Sequence, residues 1–336
     1  TDIKVDWYAS DNARIWGKWS WMDASVAKDT RFGPAGGGAV GGGGDGEGLT
    51  DVKVYGVGYN WTLSPTMLLD GNFGYTDMDQ EVLTSDLDLG NFGQDVLGIP
   101  GTNATDDRSC PDGRCGGIPR FGVSGYTAFG QTDGWSPLFR DENSLTFTQN
   151  VSWTSGAHEI RFGYDLVKHM LDHWQPEIGS GPRGSFNFST STTSSRDGDY
   201  GQTDRHGWAS FMLGLPNSTG KSLQWELMTT NEWQHAWYIR DRWHDPPNLT
   251  LTLGLRSAYY PIVTRADRGM EVLSLDPTPC PEYGSSQQCF PLTLGNNIEV
   301  SNTLFAPRIG LAYRMGENNV FRAGYGITYS PLPFGR

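Results

Sequence analysis

The chain has 336 residues and a net charge of −13, with a sequence pI of about 4.8. This acidic balance excludes the basic surface that nucleic-acid binding requires, so no nucleic-acid partner is expected. The mean hydropathy is −0.48 and no apolar run approaches the roughly 18 residues of a spanning helix, which excludes a helical membrane segment. Most acidic residues lie in loop-like segments, where they keep exposed loops soluble.

The N-terminal quarter contains four segments in which apolar and polar residues alternate, the pattern of strands with one apolar face. These segments are 3–8, 14–22, 51–63 and 66–77. Tight turns at Asp11-Asn12 and Ser64-Pro65 join them in pairs, and the glycine-rich segment 23–50 separates the pairs. A phosphate-binding loop requires a strand directly before the glycines, a helix directly after them and a Lys-Ser/Thr pair. Segment 23–50 lacks all three and is predicted to be a flexible loop.

The middle of the chain repeats this arrangement with longer connections. Its elements are an irregular segment at about 80–142, strands at 144–154 and 158–166, a Ser/Thr-rich segment at about 172–205, and a short helix at 206–215. Long loops inside a compact domain are uncommon and usually functional, so the two long segments are candidates for recognition.

The last third is predicted to contain five strands and a further long loop. The strands are 221–229, which has a weak pattern, 232–242, 249–256, 305–315 and 320–329, and the loop is 261–303. In the final hairpin, aromatic and aliphatic residues occupy one face while glycine and arginine occupy the other. Strands of about ten residues with these two faces suit a wall that has lipid on one side and water on the other.

The alternation assigns particular side chains to the two sides of such a wall. The predicted lipid-facing residues are Phe321, Tyr325, Ile327, Tyr329, Leu251, Leu253 and Trp237. The predicted lumen-facing residues are Arg161, Arg240, Arg256, Arg308, Arg314 and Arg322. These arginines are expected to pair with carboxylates on neighbouring strands or to hold a plug, and binding of an anionic substrate is the alternative. Aromatic residues near strand ends are typical of interfacial girdles, although core packing also explains some of them.

Short and long connections alternate along the chain. The turns near residues 11, 64, 156, 246 and 317 span two to four residues, whereas the segments 23–50, 80–142, 172–220 and 261–303 span tens. This asymmetry is typical of a barrel whose turns lie on one side of a membrane and whose loops lie on the other, and a soluble sandwich does not need it. The sequence therefore predicts an all-β fold: an antiparallel transmembrane β-barrel segment of about 11 strands with short periplasmic turns and long extracellular loops.

Four cysteines form two close pairs in the sequence, Cys110/Cys115 and Cys280/Cys289. Each pair lies in a turn-rich segment, and the spacing of the first pair differs from the redox Cys-x-x-Cys motif. A zinc site is the alternative, but it requires all four cysteines to converge, and no histidine lies near them in the sequence. Two disulfides, and hence an oxidising compartment, are predicted.

No catalytic or cofactor-binding pattern emerges from the remaining residues. His169 and His173 have the i, i+4 spacing that binds a metal on a helix, but their segment is predicted to be the end of a strand. Aspartate pairs such as Asp197/Asp199 lie in loop-like segments without the pattern of a glycosidase site. There is no Gly-x-Ser-x-Gly elbow and no nucleotide-binding motif. The sequence predicts no enzyme activity, no cofactor and no metal.

Five segments resemble, in order, the large TonB-dependent outer-membrane receptors, specifically the Oar-like group. They are Gly156 to Gly163, Phe211 to Pro216, Tyr238 to Arg256, Phe305 to Arg314 and Arg322 to Pro331. The resemblance covers about residues 143–331 and implies a barrel of about 22 strands with an N-terminal plug. It implies that residues 1–336 are part of one outer-membrane β-barrel domain, with the plug, the TonB box and the regulatory-like domain absent from this chain. Because the chain starts at Thr1 and ends just after a strand, it is expected to be a fragment.

The first hypothesis for function follows from this resemblance: a bacterial outer-membrane receptor that takes up a bulky nutrient through its extracellular loops and barrel lumen. Its expected partners are outer-membrane lipid, an energy-coupling TonB-type protein that acts through the missing N-terminal region, and a substrate of unknown identity. Two alternatives remain. One is an outer-membrane structural or adhesion barrel that displays surface loops, and the other is a soluble secreted all-β enzyme.

Overall fold

The computed structural model describes residues 1–41, 45–103, 110–131, 134–176, 180–193, 204–224, 227–265, 271–279, 288–295 and 300–331. Its strands, in chain order, are β1 (Asp2–Ser10), β2 (Ala13–Lys28), β3 (Gly46–Ser64), β4 (Met67–Leu83), β5 (Arg120–Val123), β6 (Leu138–Ser155), β7 (His158–Trp174), β8 (Ser185–Phe188), β9 (Ser218–Gly220), β10 (Met228–Trp243), β11 (Leu249–Tyr259), β12 (Thr264–Arg265), β13 (Glu271–Leu273), β14 (Thr278–Pro279), β15 (Gln288–Cys289), β16 (Leu292–Leu294), β17 (Leu304–Met315) and β18 (Asn319–Gly326). Among the described residues, two α-helices, α1 (Phe92–Asp95) and α2 (Asp204–Met212), lie in the connections. No helix within the described ranges is long and apolar enough to cross a membrane.

One antiparallel sheet contains all the long strands. Its order is β1-β2-β3-β4-β6-β7-β10-β11-β17-β18, and the short strand β12 also pairs with β10. The order departs from the chain order only by omitting short strands that lie within the long connections. Each tight turn returns the chain beside the strand it has just left, which is the natural outcome of two-residue to five-residue connections between antiparallel strands. The all-β antiparallel prediction is confirmed.

The strands extend further toward the long loops than the alternation predicts. β2 continues to Lys28 and β3 begins at Gly46, so both ends of the predicted loop 23–50 are strand. In the same way, β6 begins at Leu138 and β7 ends at Trp174. These extensions carry polar residues on both faces, which removes the period-two signal, while cross-strand backbone pairing continues without it.

The prediction of a separate weak strand at 221–229 is wrong. Residues 221–224 form no strand, and Met228 is the first residue of β10. The segment is held by the loops instead: Lys221 Nζ donates to the carbonyl of Asn103 at 2.7 Å, and Leu223 packs against a buried cluster that contains Trp174. The eleventh strand of the main sheet is therefore β12.

The two longest connections fold together into a small unit, here called the loop module, which comprises the described residues within 84–137 and 175–224. Strand β5 pairs in parallel with β8, and β8 pairs antiparallel with β9. Helix α2 confirms the helix predicted at 206–215, and its Phe211 packs edge-on against Phe188 of β8. A buried cluster of Ile118, Phe121, Val123 and Phe188 forms the core. These segments, predicted to be irregular, are ordered by contacts between residues far apart in the chain.

Candidate functional site

One face of the main sheet is apolar and exposed across its width. Phe73 on β4 lies opposite Phe147 on β6, and Leu253 on β11 lies opposite Ile309 on β17, which in turn lies opposite Tyr325 on β18. The exposed fraction is 41% for Phe73, 47% for Leu253 and 65% for Tyr325. Soluble proteins rarely expose a contiguous apolar surface of this extent. This surface, here called the apolar face, therefore requires an apolar environment.

Aromatic residues border the apolar face near both ends of the strands. One cross-strand row at the loop end contains Trp19, Tyr55, Tyr75, Leu145, Lys168 and Trp233. The turn end carries Trp61, Trp153 and Trp243. On β10, Trp233 and Trp243 are 10 residues apart (243 − 233), which is about 33 Å along a strand. A strand tilt of roughly 40° reduces this to about 25 Å, the height of the apolar band of outer-membrane barrels.

The opposite face, here called the polar face, carries a hydrogen-bonded network across four neighbouring strands. Asp70 on β4 accepts a hydrogen bond from Asn150 Nδ2 on β6 at 2.7 Å and pairs with Arg161 on β7 at 3.2 Å. The Tyr238 hydroxyl on β10 donates to Asn150 Oδ1 at 2.5 Å, while Arg161 Nε donates to the same hydroxyl at 3.2 Å. The network balances one carboxylate against one guanidinium and links β4, β6, β7 and β10.

Two further ion pairs connect strands β7, β10 and β11 on the polar face. Arg256 Nη1 on β11 lies 2.9 Å from Asp165 Oδ2 on β7, so this pair reaches across β10. Nearer the turns, Arg242 pairs with Glu159 at 3.5 Å. Each such partly exposed pair contributes only about 0–1 kcal/mol to stability. Their main effect is to neutralise arginines that would otherwise repel one another on one surface.

All six arginines predicted to face the lumen lie on the polar face, because each shares a cross-strand row with other residues of that face. Arg161 and Arg256 are ion-paired as described. Arg240 and Arg308 line a common cavity. Arg314 and Arg322 lie close to the last turn. That this face borders a lumen remains a prediction.

Most residues predicted to face lipid lie together on the apolar face. Those on the apolar face are Leu251, Leu253, Trp237, Phe321 and Tyr325. Ile327 and Tyr329 follow the end of β18, which stops at Gly326 rather than at residue 329. Tyr329 lines the same cavity as Arg240 and Arg308. Contact of this set with lipid remains a prediction.

The first cysteine pair forms a disulfide inside the loop module. Cys110 and Cys115 are bonded, are both buried, and pack in one cluster with Trp174. Cys280 lies outside the described residues, so the predicted pairing of Cys280 with Cys289 stays a prediction.

The histidine pair singled out by its spacing does not have helical geometry. His169 and His173 both lie on strand β7, where residues four positions apart are separated by about 13 Å. Within the part of the chain that the structure describes, no group of three or more His, Cys, Asp or Glu side chains is arranged to hold a metal ion.

A buried ion pair in the loop module carries no signal in the sequence. Arg183 is 1% exposed, and its Nη1 lies 2.7 Å from Asp86 Oδ1 and 3.1 Å from Gln131 Oε1. It also donates to the Thr84 hydroxyl. Burial lowers the pKa of Arg183, and the adjacent Asp86 carboxylate opposes that shift. Because the two charged residues are 97 positions apart, only the folded loops bring them together.

The sequence also does not show which residues of the polar network pair with one another. Alternation assigns Asn150, Arg161 and Tyr238 to the polar side of their strands, and this assignment is correct. It does not indicate that Asp70, which is 91 residues from Arg161, is the carboxylate partner. The pairing depends on strand order and register, which alternation leaves open.

Comparison with known proteins gives one family and several solved structures. The family described as outer membrane beta barrel domain matches residues 1–336. The outer membrane transporter YddB from Escherichia coli is 12% identical with a TM-score of 0.46, over 96% of this chain and 30% of that chain. The open form of the ferric-catecholate import receptor Fiu from E. coli is 11% identical with a TM-score of 0.47, over 98% of this chain and 46% of that chain.

A third solved structure is the translocator domain of the autotransporter NalP from Neisseria meningitidis. It is 10% identical with a TM-score of 0.31, over 97% of this chain and 74% of that chain. The chain spans about a third of the length of the first three solved structures it matches. Comparison with curated proteins gives no match.

Proposed function

The chain belongs to the outer membrane beta-barrel domain family and is an outer-membrane protein, and from this premise we propose that it is the barrel part of a TonB-dependent receptor that takes up a bulky nutrient. The five segments that resemble the Oar-like group support this subgroup. The proposed partners are outer-membrane lipid, a TonB-type energy-coupling protein and an unidentified substrate. The proposed role is transport rather than catalysis.

The observation that carries the proposal is an open sheet with one apolar face, one polar face and two unpaired edges. Within the described residues, β1 and β18 each pair on one side only. An unpaired backbone N–H or C=O group at membrane depth costs several kcal/mol, so open edges do not persist in lipid. We therefore propose that residues 1–336 are part of one larger barrel domain, whose further strands pair with β1 and β18. The plug, the TonB box and the regulatory-like domain would belong to other parts of the protein.

The proposed orientation follows from the chemistry of the two faces. The apolar face and its aromatic borders contact lipid, and the polar face with its six arginines lines the lumen. The short turns lie on the periplasmic side, and the loop module lies on the extracellular side. In this orientation the loop module is the first part of the chain that a nutrient meets.

Gel migration tests the barrel. Full-length protein is extracted in mild detergent and compared, with and without boiling, on a denaturing gel. A closed barrel stays folded without boiling and migrates differently from the boiled sample. Identical migration, or extraction from cells without detergent, would favour the soluble alternative.

Uptake tests the transport role. Strains of the source bacterium that lack either this gene or the TonB-type protein are grown with one bulky nutrient at a time as the limiting source. Both deletions are expected to abolish uptake of the same nutrient, while uptake of small solutes through porins continues. If deletion alters surface attachment but no nutrient uptake, the structural or adhesion barrel is correct and the transport proposal is wrong.

A further inference from the structure

We infer that the polar face contains a binding site for a carboxylate group between Arg240 on β10 and Arg308 on β17. Both arginines line a cavity of about 450 Å³ on this face. Arg256, Tyr260 and Tyr329 also line it. Its volume lies within the roughly 300–1,000 Å³ of small-molecule sites in proteins.

The register explains how the two arginines share one space. Arg240 lies directly opposite Gly254 on β11, and Gly254 lies directly opposite Arg308. The two arginine backbones are thus two strand spacings apart, or about 10 Å. A Cβ atom on Gly254 would lie 3.7 Å from the Arg308 Cβ atom, in ordinary contact. The glycine therefore leaves the gap between the two arginines free of a side chain.

The charge around this gap is not balanced by the described residues. On the same face, Arg161 and Arg242 outside the cavity, and Arg256 on its wall, each pair with a carboxylate. In the described part of the chain, Arg240 and Arg308 have no carboxylate within ion-pair distance. Arg240 also lies directly opposite Arg161, whose charge Asp70 balances.

A carboxylate group fits this arrangement. A guanidinium group is planar and binds a carboxylate through two parallel hydrogen bonds, and two guanidinium groups on either side of a gap can each supply such a pair. The tyrosines on the cavity wall add hydroxyl donors. The carboxylate can belong to a free organic anion or to an acidic side chain from another part of the same protein. The site does not depend on whether the protein is a transporter.

The first arm of the test measures binding of a free anion. Full-length protein in mild detergent at low ionic strength is titrated with succinate in a calorimeter. The charge-removing variant is Arg240→Gln with Arg308→Gln, and the gap-filling variant is Gly254→Val. The matched control is Arg314→Gln with Arg322→Gln, which removes two arginines of the same face from outside the cavity.

We expect saturable binding to the unaltered protein and to the control. Both test variants should bind at least about ten-fold more weakly, because each loses charge-assisted hydrogen bonds or the space for them. Gel migration without boiling verifies that every variant is folded. Equal binding by the unaltered protein and the charge-removing variant would overturn the inference.

The second arm applies when the unaltered protein does not bind succinate. An internal carboxylate then fills the site, and removal of Arg240 and Arg308 should lower the unfolding temperature more than removal of Arg314 and Arg322 does. If succinate does not bind and both double variants unfold at the same temperature, no carboxylate occupies the cavity and the inference is wrong.

Discussion

At the scale of single residues, Gly163 allows the polar network to form. The residue lies on β7 between Asn150 on β6 and Tyr238 on β10, and is directly opposite both. The Tyr238 hydroxyl reaches over Gly163 to donate to Asn150 Oδ1. A Cβ atom on Gly163 would lie 2.4 Å from Asn150 Oδ1 and 2.7 Å from the Gln149 carbonyl oxygen. Glycine is therefore required by the close approach of its two neighbours.

The substitution Gly163→Ala should destabilise the protein by about 1–3 kcal/mol, because side chain and backbone must shift to admit the methyl group. The measurement is urea unfolding of the full-length protein in lipid vesicles. Gly310→Ala is the control, since it lies on the same face and its Cβ atom would meet only the Thr252 side chain, in ordinary contact at 3.5 Å. Equal stability of the two variants would show that the network adapts without cost.

At the scale of strands, the extensions toward the loops carry a row of aspartates directly opposite one another. The row consists of Asp23 on β2, Asp51 on β3, Asp79 on β4, Asp141 on β6 and Asp172 on β7. On each of these strands the aspartate lies four residues closer to the loops than the row that contains Tyr55 and Tyr75. The aspartates therefore lie outside the apolar face. Like charges directly opposite each other destabilise a sheet. Lys53 relieves this repulsion only at Asp51, which it contacts at 2.5 Å.

The row makes stability depend on pH. Burial, followed by repulsion from Asp77, Asp172 and Asp79, raises the pKa of Asp141 above its ordinary value of 3.8. The folded state therefore binds a proton more readily than the unfolded state. The contribution of Asp141 to the free energy of unfolding thus rises as the pH falls through the raised pKa toward 3.8, and falls as the pH increases through the same range.

The substitution Asp79→Asn removes one repelling neighbour of Asp141. At neutral pH it should raise the free energy of unfolding by about 0.2–1 kcal/mol. This gain should shrink as the pH falls through the pKa of Asp141, because a protonated Asp141 no longer repels Asp79. Urea unfolding across this pH range measures the difference, with Asp11→Asn in the first turn as the control. A gain that is independent of pH would contradict the repulsion argument.

At the scale of the whole molecule, one sheet has two chemically different faces. The apolar face exposes large side chains across its width, whereas the polar face carries the ion pairs and the cavity. The mean hydropathy of −0.48 is compatible with an outer-membrane protein, because only alternate residues of each strand lie on the apolar face.

An arginine should therefore destabilise the protein far more on the apolar face than on the polar face. Ile239 is 53% exposed on the apolar face, between Trp233 and Trp243. The substitution Ile239→Arg should destabilise the protein in a bilayer by about 2–4 kcal/mol. Thr146→Arg, on the exposed polar side of β6, should change stability by less than about 0.5 kcal/mol. Urea unfolding from lipid vesicles compares the two, and an equal loss for both would contradict the proposed orientation toward lipid.

The sequence by itself determined the fold class, the position of the tight turns and the two faces of most strands. Period-two alternation and turn residues are local properties, so each strand records them without reference to its neighbours. For that reason the predicted arginines all lie on one face. The disulfide Cys110–Cys115 was also predicted correctly, because its two cysteines are only five positions apart in the chain.

Only the tertiary structure decided the strand extensions, the loop module and the partners of the charged residues. The extensions lack alternation and are held by backbone pairing, which every side chain permits. The parallel pairing of β5 with β8 and the pair of Arg183 with Asp86 join segments that are far apart in the chain. The cavity between Arg240 and Arg308 depends on the register that places Gly254 between them. Register is a relation between strands, and no single strand carries it.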